Sequence, residues 1–445
     1  MRVFSAGTAI HLPRDALSRI WRSRFARNVA VVASGTAAAQ AITMAFAPFI
    51  TRIYGPEAFG QLGTFLALLE VMIPLAALGY PIAIVLPRSD HDALGLVRLS
   101  IILSFIVAIL AGVLLWLTGD WLTISLGVES ITNYLFLIPV GMLFAAWLQI
   151  AQQWLIRKKE FGVVARSAVT QSLILNSAKS GIGWFHPVGT VLIVLATFGH
   201  ALHAALLFMG ARRRHKKAAQ DVAETSTPTL ELARRHRDFP LYRTPQNFIN
   251  AASQSLPVLI LASFFGPAAV GFYALGRMVM GMPSSLLGKA VSDVFYPRIT
   301  EAAHNGENLA GSIVRATAGL LAIAVVPFGL VILFGPWLFS WIFGVEWATA
   351  GEYARWLAFF FLFNFINKPS VAAVPVLGIQ RGLLVYELIS TGGKVLGLLV
   401  GFYWFGSDVL AVALFSVIGA IAYLAMIVWI VAYAARWRTD AKASR

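Results

Sequence analysis

The sequence contains no cysteine and few charged residues. The missing cysteines exclude a disulfide framework, a thiolate metal site and a cysteine nucleophile. Only 12% of the 445 residues are charged, against about 25% in an average soluble domain. A Walker-type phosphate loop and a His-Glu-x-x-His metal cluster are also missing from the sequence. We therefore predict no cofactor, no metal site and no enzymatic activity.

Apolar residues make up 58% of the chain and are concentrated in long runs. A membrane-spanning helix needs about 20 mostly apolar residues, and twelve runs reach that length. Lipid offers the backbone no hydrogen-bond partners, and the runs lack the strict alternation of a β-barrel, so each run is predicted to be a helix. The expected fold class is an all-α, polytopic membrane protein. The runs lie near residues 28–50, 60–86, 95–118, 131–155, 163–185, 187–210, 244–265, 270–296, 309–335, 352–376, 382–404 and 408–435.

Lys and Arg residues are distributed unevenly among the connections between these runs. Six Arg residues precede the first run and nine Lys or Arg residues follow the sixth, whereas the connection at 119–130 contains none. The positive-inside rule then predicts that both termini lie in the cytoplasm and that the protein crosses the inner membrane. The net charge of +15 follows largely from this topology, so we expect no nucleic-acid partner.

The same pattern predicts the domain organisation. Residues 1–27 form a basic cytoplasmic tail, in which Leu17, Ile20, Trp21 and Phe25 share one helical face. Two interpretations of this tail stay open: a helix on the membrane surface, or a disordered basic segment. A six-helix lobe is expected at 28–211, a polar cytoplasmic linker at 212–239, a second six-helix lobe at 240–436 and a short cytoplasmic tail at 437–445.

The two predicted lobes contain a repeated motif. Gly55-Pro56-Glu57-Ala58-Phe59-Gly60 in the first lobe matches Gly266-Pro267-Ala268-Ala269-Val270-Gly271 in the second, and we call these two segments the Gly-Pro motifs. Leu86-Pro87-Arg88 likewise matches Tyr296-Pro297-Arg298, at the same offset of about 210 residues. Because each repeat has an even number of spans, the repeats are parallel, an arrangement in which transporters bind substrate between the halves.

Motifs around these segments resemble those of a known family. Arg52-x-Tyr54-Gly55-Pro56-x-x-Phe59-Gly60, Ala83–Arg88, Ser253–Pro257 and Phe295–Arg298 are similar to segments of Wzx-type flippases for polysaccharide and O-antigen, members of the multidrug/oligosaccharidyl-lipid/polysaccharide exporter superfamily. The resemblance implies a MATE-like, V-shaped pair of bundles. It also implies that undecaprenyl-pyrophosphate-linked oligosaccharide is moved to the periplasmic leaflet. The lipid II flippases of the superfamily usually have more than twelve helices, which are not found here.

The resemblance also implies partners. These are the lipid-linked oligosaccharide, membrane lipids, and the polysaccharide polymerase and chain-length regulator of the same pathway. The cargo class covers repeat units of O-antigen, capsule and exopolysaccharide. We expect a chain that functions as a monomer.

Charged residues inside the predicted spans are the candidate site. A charge at the bilayer centre costs about 2.5–3.5 kcal/mol on insertion scales, so these side chains are expected to face a wet central cavity, where they would bind an anionic headgroup. Lys179 and Lys289 have an alternative, because each could instead extend to the nearer interface. Glu70 is either an ion-pair partner or a proton- or cation-coupling residue. The candidate headgroup-binding cations are Arg277, Lys368, Lys394, Lys289 and Lys179, together with Arg52 at an outer helix end.

Three functions compete at this stage. A flippase for lipid-linked oligosaccharides agrees with the excess of intramembrane cations. A drug or organic-cation antiporter on the same fold would need intramembrane acids, and a membrane glycosyltransferase or polymerase would need a large extramembrane loop. The charge balance and the short predicted outer loops favour the flippase.

Overall fold

A computed structural model describes residues 24–215 and 228–443, and every regular element in those two ranges is helical. The predicted tail up to residue 23, the linker residues 216–227 and residues 444–445 lie outside the described ranges. The helices are α1 Arg24–Ile53, α2 Pro56–Met72, α3 Tyr80–Ala83, α4 Asp90–Leu126, α5 Leu137–Arg157, α6 Phe161–Phe185, α7 Gly189–His215, α8 Thr229–Arg235, α9 Thr244–His304, α10 Leu309–Phe343, α11 Ala348–Ile366, α12 Lys368–Leu377, α13 Gln380–Tyr403 and α14 Asp408–Ala443.

Nine helical segments in the described ranges are long and apolar enough to cross a membrane. One of them, Phe239–Ser284, has 46 residues, about twice what a single crossing needs. It bends at Gly266, where φ is 80°. Arg277 and Gln254 are hydrogen-bonded although they are 23 residues apart, so the two arms of α9 run antiparallel. With α5 and α6, whose 21 and 25 residues are long enough for one crossing each, the described helices can accommodate the twelve predicted crossings.

Successive crossings run in opposite directions between two ends of the molecule. The two Gly-Pro motifs lie together at one end, which we call the motif end. α1 begins and α14 finishes at the other, which we call the terminal end. We refer to α1–α7 as the N-terminal half and to α9–α14 as the C-terminal half. The predicted break at His186-Pro187 is confirmed, because α6 ends at Phe185 and α7 begins at Gly189.

Two predicted helices are interrupted. The run at 60–86 was expected to be one helix, but α2 ends at Met72 and is followed by a 3₁₀ turn at Ile73–Leu75. The chain then passes Gly79, whose φ of 72° is a left-handed conformation that suits glycine. The run at 352–376 is likewise divided at Asn367 into α11 and α12. Pro74 and Pro369 follow these breaks, and proline cannot donate the hydrogen bond that would continue a helix.

At the motif end the two halves touch through the Gly-Pro motifs. A Cβ atom added to Gly60 would overlap the carbonyl oxygen of Pro267, and one added to Gly271 would overlap the carbonyl oxygen of Pro56. Each motif therefore contributes a glycine that admits the backbone of the other, in a reciprocal contact between α2 and the second arm of α9. From the sequence the motifs were predicted only as a repeat, and their packing against each other was not predicted.

The linker is partly built onto the N-terminal half. α8 buries Leu232 against Gly95 of α4, and the Tyr80 hydroxyl donates a hydrogen bond of 3.1 Å to the carbonyl oxygen of Ala233. The linker was predicted to begin at residue 212, but α7 continues to His215. The C-terminal lobe was predicted to end at residue 436, but α14 continues to Ala443. The part of the linker that the structure describes as α8 thus packs on the N-terminal half at the terminal end.

Candidate functional site

A cavity of about 480 Å³ lies between the halves, a volume in the usual range for ligand pockets. α1 and α6 form its N-terminal wall and are held together by polar side chains. The hydroxyls of Thr43 and Ser172 are 3.0 Å apart, and Asn176 donates to Thr43 over 3.2 Å. The cavity wall includes Thr36, Gln40, Thr43, Gln171, Ser172, His203, Arg277 and Met278.

Arg277 provides the positive charge of the C-terminal wall. It lies 11 residues beyond the bend at Gly266, which places it roughly 16 Å along the helix from the motif end. That depth is near the middle of a bilayer core of about 30 Å. Arg277 is half-buried as a whole residue, and its guanidinium donates to the carbonyl oxygen of Gln254 over 3.4 Å, a contact at the long limit for a hydrogen bond. Arg277 therefore retains donors for a bound anion.

A polar stripe that begins at Arg243, directly before α9, and continues along the first arm of α9 leads toward Arg277. Arg243, Gln246, Asn250 and Gln254 recur at spacings of three and four residues, so they share one helical face, and all four are exposed. Arg243 donates to Gln246 over 2.9 Å and Gln254 donates to Asn250 over 2.7 Å. We call these four residues the α9 stripe. Exposed polar groups are not tolerated against lipid tails, so we expect the stripe to face water or polar groups instead of lipid.

Lys368 and Lys394 do not line the cavity. Lys368 is the first residue of α12, and its Cε lies 3.0 Å from the position that a Cβ on Gly288 would occupy. The ammonium nitrogen of Lys394 lies 5.9 Å from the centroid of the Phe360 ring, and its stem passes Gly419. None of these neighbours lines the cavity, so Lys368 and Lys394 do not form a single cluster with Arg277 there.

The remaining predicted site residues are more dispersed. Lys179 is half-buried on α6, and its carbonyl oxygen accepts a hydrogen bond of 3.0 Å from the Tyr54 hydroxyl. Arg52 is exposed at the motif end and donates to the carbonyl oxygen of Trp341 over 2.9 Å. Glu70 is exposed on α2 and lies outside the cavity wall. The side chain of Lys289 lies outside the described part of the structure.

Several cavity residues were not identified from the sequence. His203 and Gln171 were missed because the candidates were chosen by the cost of burying a charge, and an uncharged polar side chain adds little to that cost. Thr36, Gln40 and Thr43 recur at helical spacing on α1, and this polar stripe is the signal that could have located the wall. The cavity wall also includes methionines from both halves, which are Met44, Met278 and Met282.

Comparisons with known proteins address the chain as a whole. A family model described as polysaccharide biosynthesis protein matches residues 49–352. The succinoglycan biosynthesis transport protein ExoT of Rhizobium meliloti (strain 1021) is 22% identical over 357 residues, which is 78% of this chain and 69% of ExoT.

Two solved structures share the fold. A multidrug resistance MATE transporter in an inward-facing conformation matches with a TM-score of 0.69 at 17% identity, over 90% of this chain and 95% of that one. The lipid II flippase MurJ in an inward closed conformation matches with a TM-score of 0.63 at 12% identity, over 90% and 87% of the two chains. The MATE-like fold that the resemblance implied is therefore confirmed.

Proposed function

The chain belongs to the polysaccharide biosynthesis protein family, and on that premise we propose that it moves undecaprenyl-pyrophosphate-linked oligosaccharides from the cytoplasmic to the periplasmic leaflet. The observation that carries the proposal is the α9 stripe, which leads from the terminal end to Arg277 at the inter-half cavity. The similarity to a succinoglycan transport protein supports a polysaccharide repeat unit as the cargo.

The proposed orientation puts the terminal end in the cytoplasm. Arg88, Arg157, Lys158 and Arg298 are at that end, in agreement with the positive-inside rule. Strongly exposed tryptophans of the described ranges lie instead in the motif-end halves of their helices or directly after them, where an aromatic belt would meet the outer interface. These are Trp116, Trp121, Trp184, Trp337, Trp341 and Trp404. In this orientation the chain crosses the inner membrane and both of its termini are cytoplasmic.

The chemistry of the path suits a phosphorylated sugar. Amide groups of the α9 stripe offer both donors and acceptors to sugar hydroxyls. Arg277 offers the two-pronged guanidinium that matches phosphate oxygens. Lys368, Lys394, Lys179, Lys289 and Arg52 remain proposed headgroup contacts for other stages of the movement, and Glu70 remains a proposed coupling residue. Among the described residues the cavity wall contains no carboxylate, and an organic-cation antiporter would be expected to have one.

We propose alternating access as the mechanism. The closed motif end would separate while the terminal end closes, and the headgroup would cross the cavity while the polyprenyl chain stays in lipid. A single chain contains both halves, so a monomer suffices. A polymerase and a chain-length regulator would act on the delivered repeat units.

The proposal is tested by reconstitution in liposomes. Leaflet transfer of a fluorescent undecaprenyl-pyrophosphate oligosaccharide is followed for wild type, Arg277→Ala and Arg277→Lys. We expect Arg277→Ala to lose at least about tenfold in transfer rate, equivalent to about 1.4 kcal/mol, with partial recovery in Arg277→Lys.

Arg315→Gln is the matched control, because this exposed arginine donates to the carbonyl oxygen of Gly311 in its own helix. It should transfer as fast as wild type. No transfer by folded wild type, across several sugar types and with an imposed ion gradient, would reject the flippase in favour of the antiporter.

A further inference from the structure

Two histidines of α7 have buried ring nitrogens without a hydrogen-bond partner. Within the described residues, Nδ1 of His200 and Nε2 of His203 make no hydrogen bond, although neither residue is exposed. A buried polar group without a partner costs about 1–3 kcal/mol, and such groups call for an explanation. Neither histidine has a role in the function proposed above.

His203 lies in the wall of the inter-half cavity. α7 packs on α6 so that Gly199 faces Leu175 and Gln171, and His203 follows one turn later, level with the cavity. Of the described residues that line this cavity, His203 and Arg277 are the two that can carry positive charge. They come from opposite halves, so an anion bound between them would contact both.

The charged surroundings of His203 are sparse. His200 is the titratable neighbour on the same helix, three residues earlier. Arg277 faces the cavity from α9. The charged side chains of the other helices that pack on α7 lie outside the cavity wall: Glu57 and Glu70 on α2, Arg157 on α5, and Arg166 and Lys179 on α6. No carboxylate of the described wall therefore competes with a bound anion for the imidazole.

We infer that His203 takes up a proton when a phosphate- or diphosphate-bearing headgroup binds beside Arg277, so that anion binding and proton uptake are coupled in this cavity. The inference rests on the proposed substrate class. A neutral imidazole costs less to keep in an apolar helix bundle than a permanent second cation would. An arriving phosphate reverses that balance, because the imidazolium can donate a charge-assisted hydrogen bond to it.

The probe is undecaprenyl pyrophosphate without sugar, bound to the detergent-purified full chain. Calorimetry in two buffers of different ionisation enthalpy measures the protons taken up on binding. Between about pH 5.5 and about pH 8.5, the range in which an imidazole changes charge, we expect wild-type affinity to fall by up to about tenfold per pH unit. The phosphate of the lipid titrates identically with every variant, so differences between proteins report the side chain.

Three variants separate the outcomes. His203→Gln should lose the additional proton uptake and keep wild-type affinity near pH 8.5. His203→Lys should bind the pyrophosphate lipid at about pH 5.5 and at about pH 8.5 without the additional proton uptake. Because this variant keeps a cation at the site, its binding also serves as the test if His203→Gln does not fold. His200→Gln is the matched control and should behave as wild type.

Three results would overturn the inference. Wild-type binding that depends on Arg277 but takes up no more protons than His203→Gln would reject coupling and leave the flippase proposal intact. Loss of the uptake in His200→Gln alone would move the site to the other histidine. Wild type that binds no pyrophosphate lipid at any pH would reject both the inference and the proposed function.

Discussion

The two ends of the interface between the halves are built differently. At the motif end, Gly60 and Gly271 each admit a backbone carbonyl from the opposite half. Phe59 packs edge-on against Trp347 there, with ring centroids 5.1 Å apart. Toward the terminal end, the α9 stripe is exposed instead of packed. One end is sealed by backbone contact and the other offers a polar path, which is the asymmetry that an alternating-access transporter needs in any one state.

Hydrogen bonds reinforce the sealed end. The Thr51 hydroxyl donates to the carbonyl oxygen of Phe343 over 3.2 Å, and the Trp347 indole N–H donates to the carbonyl oxygen of Thr51 over 2.9 Å. We call Thr51, Phe343 and Trp347 the motif-end latch. Opening this end must break the latch as well as the glycine contacts, so the difference between the ends can be tested by weakening each in turn.

The largest effect is expected from Gly60→Leu. Its side chain cannot fit against Pro267, so the halves should separate at the motif end. Ser263 lies against Gly127 of the other half. Because the chain has no cysteine, a single Ser263→Cys substitution would report opening of this end by its reactivity. Maleimide labelling at this position should accelerate by at least about tenfold, equivalent to about 1.4 kcal/mol.

Gly162→Leu is the matched control, because no atom lies within 4 Å of a Cβ built at Gly162. It should leave the labelling rate unchanged. If Gly60→Leu does not fold, Gly60→Ala is used instead, because its smaller side chain should also separate the halves and accelerate labelling, though by less. Unchanged labelling in a folded Gly60 variant would mean that the glycine contact does not seal this end.

A second, smaller effect is expected from Trp347→Phe. Trp347 is 1% exposed, so the change leaves a gap and removes the indole donor to Thr51. Together these should destabilise the protein by about 1–3 kcal/mol and lower its unfolding temperature in detergent. Trp341→Phe, at a tryptophan that is 68% exposed, should stay within about 0.5 kcal/mol of wild type. Equal melting of the two variants would contradict the latch.

The sequence was sufficient for the fold class and the family but not for the contacts between the halves. Twelve apolar runs predicted the crossings, because lipid requires long helices. The family inferred from the motif around Gly55-Pro56 is confirmed by the model that matches residues 49–352. The reciprocal packing of Gly60 and Gly271 could not be predicted, because it depends on how two distant segments meet in space.

The candidate site was predictable only in part. Arg277 was identified because an intramembrane charge is costly and so needs a purpose. The same argument also selected Lys368 and Lys394, which lie outside the cavity wall, because cost alone does not say which way a helix face points. His203 was missed because a neutral imidazole adds little to the cost of a span.

A third prediction concerns Arg52, for which the sequence and the structure suggest different roles. If Arg52 contacts the headgroup, its loss should slow lipid transfer. Its hydrogen bond to the carbonyl oxygen of Trp341 suggests instead that Arg52 helps the motif-end latch to hold the two halves together. Because Arg52 is exposed, we expect Arg52→Gln to cost less than about 1 kcal/mol and to raise Ser263→Cys labelling by about twofold. A tenfold loss of lipid transfer without faster labelling would instead support the headgroup role.

The smallest effect should come from the terminal end. Arg298 donates to Glu307 over 2.7 Å across the α9–α10 turn, and this hydrogen bond holds the pKa of the Glu307 carboxyl below its usual value of 4.5. A lowered pKa means stability that is present above about pH 4.5 and is lost as the pH falls further. The melting difference between wild type and Glu307→Gln should therefore shrink on acidification. Arg298→Gln in the variant background should add no pH dependence.

The pair is exposed and lies within one half, so it stabilises a turn without resisting separation of the halves. Glu307→Gln should accordingly leave Ser263→Cys labelling at the wild-type rate at every pH. Faster labelling in this variant would show that the turn at the terminal end is coupled to the seal at the motif end. The two ends would then have to be treated as one cooperative unit, and the contrast between a sealed end and an independent open one would be wrong.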